Sequence, residues 1–342
     1  MKSRPSISIS QPMPVPNPQF ERPGISTVWG YVSLPVIEKP VERPETWPPR
    51  RRYGLMAFMF LLTCGATFWA GAVRERSETI LYGIEAMKEI LSPGWWQDGL
   101  IYMSCVMGTL LAHEMGHFVM TVRYRIRATL PLFLPLPITP IGTMGAVIAM
   151  QGSAANRKQL FDIGIAGPLA GLVICLPVVV AGVMTADVVS VQSVRTLTST
   201  NQILFHDPLL VEWLTSWLRP DVGSDQVLEM TSLRLAGWFG LIITGLNMMP
   251  ISQLDGGHVT YTMFGRRAHG ISAMLVVAAI AYVVVTNTLP WVVMLILVLM
   301  MGIFHPPTAD DNVPLGRPRY VLGWISLAIP PLCFSPRLVE IL

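Results

Sequence analysis

Charge is what this sequence has least of. Asp, Glu, Lys and Arg make up 13 % of its 342 residues, about half of the ~25 % usual in soluble domains. So few charged side chains could not cover the surface of a soluble protein of this length. Apolar residues reach 52 % and the mean hydropathy is +0.51, so lipid is the expected solvent for most of the chain. Cysteine is scarce as well. Cys64, Cys105, Cys175 and Cys333 stand singly in apolar runs; no CxxC pair forms, and they read as small buried hydrophobes. A net charge of +3 with no basic-aromatic patch argues against a nucleic-acid partner. No short apolar stretch follows Met1, so no cleavable signal peptide is expected.

Proline is abundant, and it is concentrated at one end. Eleven of the first 50 residues are proline, which predicts a disordered tail over residues 1–52, ending in Arg50-Arg51-Arg52. Apolar runs follow at Leu55–Val73, Gly99–Val122, Phe161–Met184 and Leu235–Ile251. Ile271–Phe304 is 34 uncharged residues, too long for one span of about 20, and Asn287-Thr-Leu-Pro290 divides it. Tyr320–Phe334 is a weak seventh run, shortened by Pro330 and Pro331.

Residues 128–156 carry no charge, yet Pro131, Pro135, Pro137 and Pro140 rule out a simple helix. Extended chain that enters the membrane and leaves by the same side fits better. The expected fold is an all-α polytopic membrane protein of about six to seven transmembrane helices with a short membrane-re-entrant β segment.

Lys and Arg set the orientation. With a cytoplasmic N-terminus and alternating spans, 17 of the 24 fall on the cytoplasmic side. Trp69, Trp95, Trp96, Trp238 and Trp291 then gather near the other interface as an aromatic belt. The outer loop, about 186–232, contains Leu210, Trp213, Leu214, Trp217 and Leu218 on one helical face, a pattern for a surface-lying or core-packed helix. A tail over 1–52, a membrane core over 53–304 and a cytoplasmic linker with a C-terminal apolar segment over 305–342 complete the expected organisation.

The second apolar run carries His113-Glu114-Met115-Gly116-His117. Positions i and i+4 share a helix face, so both imidazoles can meet one metal ion, with Glu114 within reach of a water at that metal. Ionisable groups inside a span are costly and functional by default. A catalytic zinc site usually takes a third protein ligand and keeps one open position. Asp162 opens the third span, and His206 and Asp207 fall on the wrong side of the membrane. Asp255 is better placed, after the fourth span and at the depth of His117. Pro250 and the pair Gly256-Gly257 allow the chain to turn its carboxylate inward.

With these residues the sequence resembles the site-2 proteases, intramembrane zinc metallopeptidases marked by HExxH in one span and NxxP…LDGG in a later one. His113, Glu114 and His117 match the first motif; Asn247, Pro250, Leu254, Asp255, Gly256 and Gly257 match the second. The resemblance covers about residues 99–260. It implies that His113, His117 and Asp255 bind one Zn2+ and that Glu114 is the catalytic base. It also implies that Asn247 positions substrate or oxyanion, and that Gly142-Thr-Met-Gly145 is a substrate-holding strand. Gly167-Pro168-Leu169-Ala170-Gly171 is similar to the family's GPxAN motif, with Gly171 where Asn is common.

The expected activity is hydrolysis of peptide bonds in or near transmembrane segments of membrane-anchored substrates within the lipid bilayer. The expected location is a multi-pass protein of a bacterial plasma membrane. A membrane metal-ion transporter and a catalytically silent receptor or chaperone are the other readings.

Overall fold

The computed structural model describes residues 53–74, 94–137, 139, 141–150, 154–190, 203–223, 225–286, 292, 295–296, 298–300, 302–334 and 339–341. The expectations for residues 1–52, for the Asn287–Pro290 break and for Trp291 lie outside the described residues.

The chain is mostly helical. Among the described residues, three helical stretches are long and apolar enough to cross a membrane: Tyr53–Ala72 in α1 (Tyr53–Arg74), Arg157–Thr185, which is α3, and Arg267–Val285 in α7 (Arg267–Thr286). The helix that carries HExxH, α2 (Trp95–Arg123), is 29 residues long. Its Asp98, His113, Glu114, His117 and Arg123 make it less apolar than those three. α3 begins in a capping box: Asn156 accepts from the Gln159 amide, and Gln159 accepts from the Asn156 amide. Two otherwise orphaned donors are satisfied in this way.

Residues 128–156 contain an antiparallel hairpin, β1 (Leu132–Leu136) with β2 (Gly142–Val147). The register runs Leu132↔Val147, Phe133↔Ala146, Pro135↔Thr143 and Leu136↔Gly142, with an irregularity between Phe133 and Pro135. Pro135 has no N–H to give a ladder, which suits a two-stranded pair with free edges. A single bridge, Ala128↔Met150, prolongs the pairing. The hairpin lies on α1 so closely that a Cβ at Gly142 would stand 2.6 Å from the Ala66 carbonyl oxygen.

α2 packs against α3, and both pack against α5 (Ser232–Asn247). Tyr102, Val106 and Leu110 of α2 meet Leu235, Trp238, Phe239 and Ile242 of α5, with Phe133 of β1 in the same cluster. Trp238 therefore does not join a lipid-facing belt. It is buried, and its indole N–H donates to the His206 carbonyl at 2.9 Å. Cys175 and Cys333 are buried in a second cluster with Val179, Val183 and Leu241, and all four cysteines are free thiols.

The loop after α3 is more ordered than the sequence suggests. β3 (Val188–Ser190) pairs with β5 (Gln226–Leu228), and between them lie β4 (Ile203–Phe205) and α4 (Leu209–Leu218). α4 partly buries the leucines of the expected face but not its tryptophans. Val211 is buried with Leu210, Leu214 and Leu218 packed around it, while Trp213 and Trp217 are 69 % and 76 % exposed. At about 100° per residue, seating Val211 against α3 rotates both tryptophans outward.

After α6 (Asp255–Phe264) and α7, the chain returns along the bundle in pieces. α8 (Arg317–Ser326) and α9 (Ile329–Cys333) have 10 and 5 residues, so Tyr320–Phe334 is not one spanning helix. Arg319 at the start of α8 grips Asp162 near the start of α3 with two bonds of 2.8 Å. This ion pair also explains why Asp162 is not part of the metal site. Yet β6 (Val339–Ile341) pairs with β4, in the loop beyond the far end of α3. Asp207, in that same loop, is engaged by Arg234.

α3 and α5 touch with no room to spare at Gly182, where an added Cβ would stand 2.7 Å from the Arg234 Cα. Overpacking of this kind costs about 1–3 kcal/mol. Gly182→Val is expected to lower the thermal unfolding midpoint in detergent by several degrees; an unchanged midpoint would contradict this close contact.

Candidate metal centre

α2 places His113, Glu114 and His117 where it crosses α3. Asp255 arrives by another route. α5 ends at Asn247, residues 248–254 turn, and Asp255 opens α6. The two glycines that follow are a spatial necessity. A Cβ at Gly256 would lie 1.9 Å from the Met248 carbonyl oxygen, and one at Gly257 would lie 2.2 Å from that of Ser252. Any larger side chain would lift α6 off the turn and carry Asp255 away with it.

Three donor atoms converge. His113 Nε2 is 3.1 Å from Asp255 Oδ2, His117 Nε2 is 3.3 Å from Asp255 Oδ1, and the two Nε2 atoms are 3.2 Å apart. Ligands at zinc distances of about 2.0–2.1 Å, set tetrahedrally, are about 3.3 Å from one another. Among the described residues this is the one group of three or more His, Cys, Asp and Glu able to hold a metal ion.

Proton bookkeeping points to a cation as well. His117 Nδ1 donates to the Ile163 carbonyl at 2.8 Å. The second nitrogen, Nε2, faces a carboxylate oxygen, and that contact is favourable when a positive charge lies between the two: a second proton on the ring supplies one, and a metal ion bound to both supplies another. The Ile163 carbonyl is thus the partner that fixes the ring and frees Nε2 for a metal. No sequence signal marks it, because any residue could supply that carbonyl.

The close crossing of α2 and α3 depends on small residues. A Cβ at Gly116 would stand 2.4 Å from the Ala166 carbonyl oxygen, and one at Gly167 would stand 2.0 Å from His117 Nε2. Gly171 lies beside His113, 3.3 Å from its Nδ1 by the same measure. The Gly167–Gly171 segment therefore backs the two imidazoles directly.

A cavity of about 550 Å³ opens onto the three ligands. Glu114, only 8 % exposed, lines it beside them. Asn247 also lines it, with its amide nitrogen 3.4 Å from His113 Nε2. Gly142 and Gly145 do not; the next residues, Ala146–Met150, do. Gly142 is held against α1, and Gly145 stands in open space with φ +95°. The cavity wall also includes Gln253, His258, His305, Pro306 and Pro307.

Gly167→Ala is expected to cut metal affinity by at least about tenfold, the scale of losses from disturbed ligand support. Metal content of the purified chain by elemental analysis checks this. Full occupancy with unchanged affinity would contradict the backing role of Gly167.

Comparison with known proteins bears on the same residues. The chain is similar to the probable zinc metalloprotease EGY1, chloroplastic, of Arabidopsis thaliana: 27 % identical over 326 residues, covering 89 % of this chain and 57 % of the relative. It is similar to the probable zinc metalloprotease EGY2, chloroplastic, of the same plant: 27 % identical, covering 94 % and 53 %. It is also similar to the probable zinc metalloprotease EGY3, chloroplastic, of Oryza sativa subsp. indica: 22 % identical, covering 96 % and 52 %. The chain spans about half the length of these curated relatives. Their chloroplast compartment does not fit the bacterial plasma membrane expected from the sequence; the apolar helices support the coarser statement, a membrane protein. The model of Peptidase family M50 matches residues 101–290, more than half of the chain, and includes both motifs. The chain belongs to peptidase family M50.

Proposed function

We propose that this chain is an intramembrane zinc endopeptidase that hydrolyses peptide bonds in or near the membrane segments of membrane-anchored proteins. The observation that carries this reading is the convergence of His113 Nε2, His117 Nε2 and the Asp255 carboxylate oxygens within 3.3 Å of one another, beside a buried Glu114 in an open cavity. Membership of a peptidase family, and relatives named as probable zinc metalloproteases, support it. They disfavour the transporter and silent-receptor readings.

In this reading His113, His117 and Asp255 hold one zinc ion. When bound, zinc polarises the scissile carbonyl and lowers the pKa of a water to about 7. Glu114 takes the proton of the attacking water and hands it to the leaving amine. Burial strengthens its electrostatic interactions, because little bulk water screens it. The Asn247 amide, an N–H donor beside His113, steadies the substrate carbonyl as charge develops on oxygen. His117 keeps its orientation through Ile163.

The substrate must unwind locally, since a helix hides its carbonyls in internal bonds and unpaired backbone in lipid costs several kcal/mol per group. Among the described residues β2 is paired on one side only, and its last two residues with the chain beyond them, Ala146–Met150, line the cavity. An extended substrate segment added to that edge recovers its backbone hydrogen bonds. Gly142 and Gly145 shape the hairpin rather than touch the cavity wall.

The wider topology follows from the same reading. α2 and α5 cross the membrane beside the three long apolar helices, and residues 128–156 re-enter it. Tail 1–52, the site mouth and the linker after residue 305 share the Lys- and Arg-rich side. The loop 186–232 lies on the other.

Glu114→Gln is expected to retain zinc and to lose about 10²–10⁴-fold in cleavage, the usual contribution of a general acid–base. Comparison of membrane-peptide fragments between cells with wild-type and Glu114→Gln protein checks this; cleavage at the normal rate would overturn the role. Asp255→Ala is expected to lose both zinc and cleavage. Gly145→Val forces a β-branched residue to φ +95°, a strain of about 1–3 kcal/mol. It should slow turnover several-fold at normal zinc content, and loss of zinc there would refute the hairpin's assigned role.

A further inference from the structure

The cavity wall holds a second pair of imidazoles. His258 lies on α6, one turn beyond Asp255, and His305 lies in the extended segment before α8. His258 Nδ1 and His305 Nε2 are 2.6 Å apart. His305 Nδ1 contacts the Pro306 carbonyl, which can only accept, so the His305 proton is on Nδ1. Its Nε2 is then an acceptor, and His258 Nδ1–H must donate to it. His258 Nε2 is left with a lone pair, on a ring that lines the cavity. The surroundings disfavour a second proton on either ring: burial and the neighbouring His305 push His258 down to about 3, and burial lowers His305.

His305 is locked from several sides. Its ring stacks on Tyr261 at 4.4 Å, and the Tyr261 hydroxyl donates to Asp311 at 2.9 Å. Its carbonyl accepts from His269 Nε2 at 3.1 Å. The flanking chain is tied by Ser272 Oγ to the Ile303 carbonyl at 2.8 Å and by the Ala309 amide to the Ala155 carbonyl at 2.9 Å. A histidine that only ended a helix would not need a fixed tautomer. Pro306 and Pro307, also on the cavity wall, have no N–H. This part of the wall therefore offers acceptors and no backbone donors from the two prolines.

We propose that His258 is a substrate-binding residue whose Nε2 accepts a backbone N–H of the extended substrate, and that His305 is the positioning residue that holds His258 in the required tautomer. The proposal rests on the endopeptidase reading. It excludes an oxyanion-donor role for His258, and it excludes proline at the substrate position that His258 meets.

Two measurements test it. Imidazole ¹⁵N NMR of the full chain in lipid nanodiscs, labelled at histidine, should find His258 and His305 both neutral and protonated at Nδ1. His305→Phe should move the His258 proton to Nε2, whereas His305→Gln, whose side-chain carbonyl can accept, should not. His258 protonated at Nε2 in the wild type overturns the proposal. The second measurement is binding to the Glu114→Gln chain of a synthetic single-span leucine-alanine peptide with a central Asn-Gly, with backbone amides N-methylated one at a time. One methylation should weaken binding about three- to tenfold, the effect of one hydrogen bond. That sensitivity should vanish in Glu114→Gln/His305→Phe and persist in Glu114→Gln/His305→Gln. Normal binding that is indifferent to methylation or to His305 overturns this proposal alone. Failure to bind any such peptide overturns the endopeptidase reading, and this proposal with it.

Discussion

A carboxylate facing two imidazoles, from positions 142 residues apart for the His113–Asp255 pair, is the contact on which the rest of the structure depends. Two imidazole nitrogens and a carboxylate held within 3.3 Å of one another in a low-dielectric setting match the spacing of ligands around one cation. Everything nearby serves that convergence. Gly116 and Gly167 let α2 and α3 approach, Ile163 fixes the His117 ring, and Gly256 and Gly257 seat α6 on the turn that delivers Asp255. A change at any of these points acts on the metal site through distance, although none of them is itself a proposed ligand.

Lipid imposes a second constraint: buried backbone must find partners inside the protein. In the proposed topology the hairpin would meet it with a cross-strand ladder and with contacts to α1. The C-terminal chain meets it differently, through two short helices and a strand pairing with β4. Arg319 on Asp162 anchors one end of this return path, and burial of Cys333 beside Leu241 anchors its middle. Its composition looks weak for a span because no single element has to cross.

The two proposals use opposite kinds of wall. The edge of β2 presents both backbone donors and acceptors to an extended chain. The His305–Pro307 segment removes two donors and, through the His258–His305 tautomer, adds one acceptor. An asymmetric cleft of this kind selects direction and residue type in a substrate without deep side-chain pockets.

Much of the site was legible in the sequence. HExxH puts two imidazoles on one helix face by geometry alone, with Glu114 beside them, and a charge-poor chain leaves few other candidates. Asp255 could be matched in depth to His117, because it follows the fourth span near the face at which the second span ends. The burial of Cys175 and Cys333 and the hairpin within residues 132–147 likewise follow from local chemistry, whereas Cys64 and Cys105 are only partly buried.

Other features depended on contacts between distant segments. The rotation of Trp213 and Trp217 to the surface follows from which side of α4 meets α3. Trp238 is buried because α5 turns it toward the His206 carbonyl, and α9 packs on α5 despite two prolines. What the sequence determined by itself was the chemistry available and its spacing along each helix, since those are properties of residue type and period. Only the tertiary structure decided which backbone carbonyl orients His117 and which ring orients His258, because hydrogen-bond partners far apart in the chain are set by packing.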